Sequence, residues 1–195
     1  MADQSQGEPQ TMTTGMVVAF YTATVAIAVV WSALTDAGAA RLWRPPAAID
    51  APPWWAAGIA AGVTLLGLSW LAEAVWPAMR TLTEELAAAL GPIGTGRALG
   101  WALASGFAEE ALFRGPVQDL VGWPVAAVLF AAMHGGTSRR LIAWSTFALG
   151  AGALFGLLAH HYDSLWPAIV AHVLVNGVNL RRLGARAAAT REATD

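Results

Sequence analysis

Only 12% of the 195 residues are charged and 56% are hydrophobic, whereas a soluble domain carries about 25% charged residues, so the chain reads as an integral membrane protein. It has no cysteine, which excludes a disulfide framework, a thiolate metal site and a cysteine nucleophile. Its net charge of -2 gives no case for a nucleic-acid partner; the lipid bilayer is the partner that the composition implies.

Residues 1–14 are polar and unpatterned and read as a disordered tail. The first span is expected over Gly15–Leu34; it lacks a basic leader and its apolar run is too long for a signal peptide. Residues 36–53 hold Asp36, Arg41, Arg44 and Asp50 with Pro45, Pro46, Pro52 and Pro53, the composition of a loop outside the hydrocarbon. A second span covers Trp54–Trp76. Gly58 and Gly62 in it are spaced for close helix contact, and Glu73 near its end is expected to snorkel to the interface.

Residues 78–90 form a short amphipathic helix with Leu82, Leu86 and Leu90 on one face and Arg80, Glu84 and Glu85 exposed, suited to lie on the membrane surface. Gly91, Pro92, Gly94 and Gly96 then break the chain. A third span is expected over Ala98–Leu120 and a fourth over Trp123–Met133, with Pro124 in its first turn. The fifth is Leu141–Ala159, with Gly152 and Gly156 at close-packing spacing. The sixth is Leu165–Leu180, opened by Asp163 and Ser164 as a cap. Trp54, Trp55, Trp76, Trp123 and Trp166 mark span edges, as interfacial aromatics do. The fold class is therefore all-α: a polytopic transmembrane bundle of about six spans plus one surface helix. One domain, 15–180, is expected, followed by a polar tail over 181–195.

The third span is the anomaly. Glu109 and Glu110 sit inside it, and Arg114 follows four residues after Glu110. Each such side chain costs roughly 2.5–3.5 kcal/mol in hydrocarbon on insertion scales. Glu110 and Arg114 share a helix face and can pair. Glu109 points about 100° away, onto a face continued by the small residues Gly106 and Ala102, where another helix or a substrate backbone can come close. Glu109 is thus placed to act as a general base. Pro116 should bend the helix just past the cluster by clashing with the Leu112 carbonyl.

Two later segments add polar groups. His134 ends the fourth span, four residues after Phe130, and His172 and Asn176 share one face of the sixth. A carboxylate and a histidine can polarise water, while a second histidine and an amide offer the two donors that a developing oxyanion needs. No serine is positioned with a histidine base and no His-Glu-x-x-His occurs, so neither a serine mechanism nor a zincin arrangement is indicated. His160 and His161 lie at a helix end and read as interfacial. A structural ion-pair network remains an alternative for the Glu-Glu-Arg cluster, and a proton pathway for the set as a whole.

In order, Glu109-Glu110-x-x-x-Arg114, Phe130-x-x-x-His134 and His172-x-x-x-Asn176 resemble the motif set of the CPBP family. These are the CAAX-type prenyl-protein endopeptidases and the related bacterial proteins of bacteriocin processing and immunity. The context Ala108–Gly115 and Leu165–His172 is also similar, and the resemblance spans about residues 80–180. It implies an intramembrane endopeptidase acting on a membrane-associated or lipidated peptide or protein. Glu109 and His134 would activate water, His172 and Asn176 would form the oxyanion hole, and Glu110, Arg114 and Phe130 would organise the site. Many members are named metalloproteases; Glu109, His134 and His172 are the set a divalent ion such as zinc would take. The same residues allow metal-free, glutamate-activated water. A non-catalytic role in bacteriocin self-immunity or scaffolding is the alternative.

All 11 basic residues are arginine, which with the abundant alanine fits a GC-rich bacterial source. With six spans and both termini inside, Arg80, Arg97, Arg139, Arg140, Arg181, Arg182, Arg186 and Arg191 lie on the inner side against Arg41 and Arg44 outside. That bias predicts a multi-pass protein of the cell membrane with cytoplasmic termini.

Overall fold

The computed structural model describes residues 13–35, 43–46 and 52–193. The expected N-terminal tail, except its last two residues, and most of the expected loop with Asp36, Arg41 and Asp50 lie outside the described residues. The described chain is helical, with no strand among the described residues: α1 Thr14–Thr35, α2 Trp54–Val75, α3 Pro77–Leu90, α4 Thr95–Leu112, a π-helical turn Phe113–Val117, α5 Gln118–Met133, α6 Arg139–Tyr162 and α7 Trp166–Glu192. Four runs are long and apolar enough to cross a membrane: α1, α2, the stretch Thr95–Met133 and α6. Their outward faces carry large apolar side chains such as Val18, Val63, Leu120, Val128 and Ile142. Such continuous apolar exposure suits contact with lipid.

The 39-residue stretch Thr95–Met133 is not one rod. Pro116 and Gly115, with non-helical angles of φ −81° and ψ −115°, place a π-turn where the proline denies a backbone donor. Gly122 then takes φ 78° and ψ 159°, a left-handed angle that favours glycine. Phe113 and Val117 pack against Ala126 and Phe130 in one apolar cluster. The chain therefore folds back on itself at Gly122, and the expected third and fourth spans are the two arms of a hairpin.

Close glycine contacts set the remaining directions. A Cβ added at Gly106 would meet Val173 Cγ2 at 2.6 Å, and one at Gly184 would meet the Ile93 carbonyl at 2.8 Å, so α4 and α7 run antiparallel. One at Gly58 would meet the Pro167 carbonyl at 2.6 Å and one at Gly62 would meet Leu174 Cδ2 at 2.8 Å, so α2 runs parallel to α7. Gly152 opposes Ala127 and Phe130, while Gly156 opposes Trp123 and Gln118, which makes α5 and α6 antiparallel. Val17 of α1 packs with Trp101, Leu180 and Leu183. The start of α1 and the later part of α7 thus share one end of the bundle, and six segments alternate in direction.

α7 does not qualify as a span by composition. It is nonetheless central, packed against α2, α3, α4 and α6. It also runs on to Glu192, so residues 181–192, expected as a tail, continue the helix. That extension changes the reading of Glu73. Its carboxylate is buried and paired with Arg182 at 2.7 Å and with Arg186, so it is a partnered interior charge, not a snorkelling one. α3 is amphipathic as expected, but Met79 and Leu82 are buried against Ala143 of α6, and Glu85 pairs with Arg140. The protein covers much of the apolar face that was assigned to the membrane surface. Leu86 is the exception, exposed beside these contacts. Ser164 donates to the Arg44 carbonyl and accepts from the Trp166 N–H, while Asp163 closes α6 with φ 44°.

The Gly106 contact generates a prediction. Gly106→Leu should force α4 off α7 and cost about 1–3 kcal/mol through overpacking. Gly100, with open space around its added Cβ, should accept the same change within about 0.5 kcal/mol. Thermal unfolding of the two variants in detergent measures the difference.

Candidate active site

Consecutive helical residues diverge, so Glu109 and Glu110 serve different neighbours. Glu110 is fully buried and held from two sides. Arg114 Nε donates to Oε2 at 2.9 Å, and His172 Nδ1 lies 2.7 Å from Oε1. Facing an arginine, the carboxylate is ionised and can only accept, so His172 Nδ1 carries the hydrogen. The His172 ring is held by packing as well. Phe155 stacks on it at 5.0 Å and 16°, and Phe130 meets it edge-on at 6.2 Å.

Arg114 is as buried as its partner. Its Nη1 and Nη2 have no hydrogen-bond partner among the described residues, and the guanidinium instead sits 5.2 Å from the centre of the Phe130 ring. The negative face of an aromatic ring offsets part of that missing solvation. Phe130 therefore touches most of the cluster: Arg114, His172 and, at 4.5 Å between ring centres, His134.

Glu109 is less enclosed, with its side chain 13% exposed. Its Oε1 accepts from the Tyr21 hydroxyl at 3.2 Å. Its Oε2 is buried, with no hydrogen-bond partner among the described residues. It faces His134 Nε2 at 3.8 Å and His172 Nε2 at 3.9 Å. Both separations exceed a direct hydrogen bond and lie within the span that one bridging water covers. His134 caps the end of α5, where its Nδ1 donates to the Phe130 carbonyl at 2.8 Å. A carbonyl only accepts, so in the neutral ring Nε2 offers a lone pair toward Glu109.

The structure brings Glu109, Glu110, Arg114, Phe130, His134 and His172 into one cluster. Asn176 is one turn along α7 from His172. Its Nδ2 donates to Ser105 Oγ at 2.8 Å, and Ser105 donates to the Ala102 carbonyl at 3.1 Å. The second Nδ2 hydrogen remains for another acceptor. Asn179 lies farther down, 3.5 Å from Ser69 Oγ. His160 and His161 are exposed at the end of α6. Sequence reasoning missed Tyr21, Ser105 and Phe155. A signal existed for Ser105, four residues before Glu109 on the same helix face; none marked Tyr21 or Phe155.

A zinc ion was the metal considered for Glu109, His134 and His172. Tetrahedral ligands with bonds near 2.1 Å stand roughly 3.4 Å apart, closer than the 3.8 and 3.9 Å found here. Among the described residues no group of three or more histidine or acidic side chains is arranged to hold a metal ion.

The buried pair generates a prediction. Arg114→Ala leaves Glu110 charged and without its cation, a loss of about 3–5 kcal/mol. Folded yield and melting temperature should fall sharply. Arg114→Met combined with Glu110→Leu should recover part of the loss, because no lone charge remains.

Residues 94–178 match the family model described as type II CAAX prenyl endopeptidase Rce1-like. The uncharacterized protein YpbD of Bacillus subtilis (strain 168) is 35% identical over 74 residues, which cover 37% of this chain and 38% of the relative. The chain thus spans less than two fifths of that relative's length. No solved structure matches. The matched stretch contains all three polar motifs, from Glu109 to Asn176, and these agree with the resemblance read from the sequence: over residues 94–178 the chain is similar to the Rce1-like family.

Proposed function

We propose that the chain is an intramembrane endopeptidase that hydrolyses a peptide bond of a membrane-associated or lipidated protein with a water held at Glu109. The observation that carries this reading is the unpartnered Oε2 of Glu109, aimed between two imidazole nitrogens at water-bridging distance.

In this reading the water donates one hydrogen to Glu109 Oε2 and the other to His134 Nε2. Both are acceptors, so the water oxygen is left free to attack the carbonyl carbon. Glu109 takes the proton as the carbon–oxygen bond forms and delivers it to the amine as the peptide bond breaks. The oxyanion accepts from the second Nδ2 hydrogen of Asn176 and from Nε2–H of a protonated His172, which Glu110 supports from behind. Such donors contribute most where water is excluded, about 10²–10³ in rate for each. Ser105 fixes Asn176, and Arg114 with Phe130 fixes Glu110 and both histidines.

The proposed setting is the cell membrane of a bacterium, with both termini cytoplasmic. Support comes from the arginine bias and from the shared end of the bundle at which α1 starts and α7 finishes. The proposed partner is a peptide or membrane-protein substrate.

Mass spectrometry of protein termini in cell membranes tests the reading. Cells making the native chain are compared with cells making Glu109→Ala or His134→Ala at equal folded levels. New termini should appear with the native chain alone. Identical termini in all three would sink the reading.

A further inference from the structure

The family match begins at residue 94, yet one group that touches the presumed base comes from α1. We infer that Tyr21 is a positioning residue of the active site, and that α1 is thereby part of the catalytic unit. This inference rests on the hydrolase reading above.

The argument starts from the two oxygens of Glu109. A carboxylate in an apolar bundle can rotate and offer either oxygen to its surroundings. The Tyr21 hydroxyl, 3.2 Å from Oε1, occupies one of them, which leaves Oε2 facing His134 and His172. The two oxygens are equivalent, so a half-turn restores the same arrangement, but any smaller rotation breaks the only hydrogen bond that the carboxylate makes among the described residues. Tyr21 therefore fixes the carboxylate plane so that one oxygen always faces the histidines.

Ser105, four residues before Glu109 on the same face of α4, accepts from Asn176. The Tyr21 contact thus falls on the α4 face that carries both the base and the residue that fixes the oxyanion donor. A tyrosine fixed only by packing needs no such partner. Its neighbour Phe20 illustrates the contrast, pointing outward with 57% of its surface exposed.

The test removes the hydroxyl and keeps the ring. Tyr21→Phe, Tyr21→Leu and Glu109→Gln are compared with the native chain at matched folded levels. The readout is the rate at which the termini found in the membrane survey appear. A quenched-fluorescence peptide copied from one such junction then gives kcat and KM separately. Tyr21→Phe should lower kcat about tenfold, as expected for one hydrogen bond to a charged group, with KM unchanged. Melting of Tyr21→Phe, Glu109→Gln and the double variant supplies a measurement independent of activity, and the shifts should be non-additive. Native kcat in Tyr21→Phe, a change confined to KM, or additive melting shifts each overturn the inference. If the native chain releases no termini while the melting shifts are non-additive, the contact stands and the failure lies with the hydrolase reading.

Discussion

Everything at the centre of this bundle depends on one fully buried carboxylate. Glu110 is fully buried, and both of its oxygens are used, one by Arg114 and one by His172. A buried ion pair offers little net stability against a well-packed apolar replacement, because desolvation offsets the attraction. What this pair contributes is placement. It ties α4 to α7 at a chosen rotation of each helix, sets the His172 tautomer, and leaves the Arg114 guanidinium against the ring that also carries His134. Removing the hub would free Arg114 and His172 at once.

Glu109 shows the complementary principle. It sits beside the most constrained residue of the site yet keeps an oxygen that no group among the described residues satisfies. Buried polar atoms without partners are uncommon in folded proteins, and they gather where a ligand or water completes the shell. The helical repeat makes the division of labour cheap: two adjacent residues point about 100° apart, so one can be locked while the other stays available.

Much of this was legible from local spacing. The i,i+4 pairing of Glu110 with Arg114, the small face through Gly106, the packing glycines of α2 and α6, the bend at Pro116 and the break before Trp123 all follow from rules that act within a turn or two of helix. What escaped was the choice of distant partners. Tyr21 lies 88 residues from Glu109, and nothing in its own neighbourhood of α1 distinguishes it from an interfacial tyrosine. Glu73 was read from its position near the end of a helix. Its true environment depends on α7 continuing past residue 180, which a run of arginines disguises as a solvated tail. The six-span expectation meets the same difficulty: α7 is polar because its residues serve one another, so hydropathy undercounts the helix on which the others pack.

The Glu73–Arg182–Arg186 group also bears on where the working unit ends. The family match stops at residue 178, and a shortened version of the chain drawn from that boundary would look complete in its motifs. It would lack both counter-charges of a buried carboxylate and the stretch of α7 on which Ile93 seats at Gly184. The last three turns of α7 are thus ballast for the interior, and the minimal autonomous fragment is longer than the minimal motif.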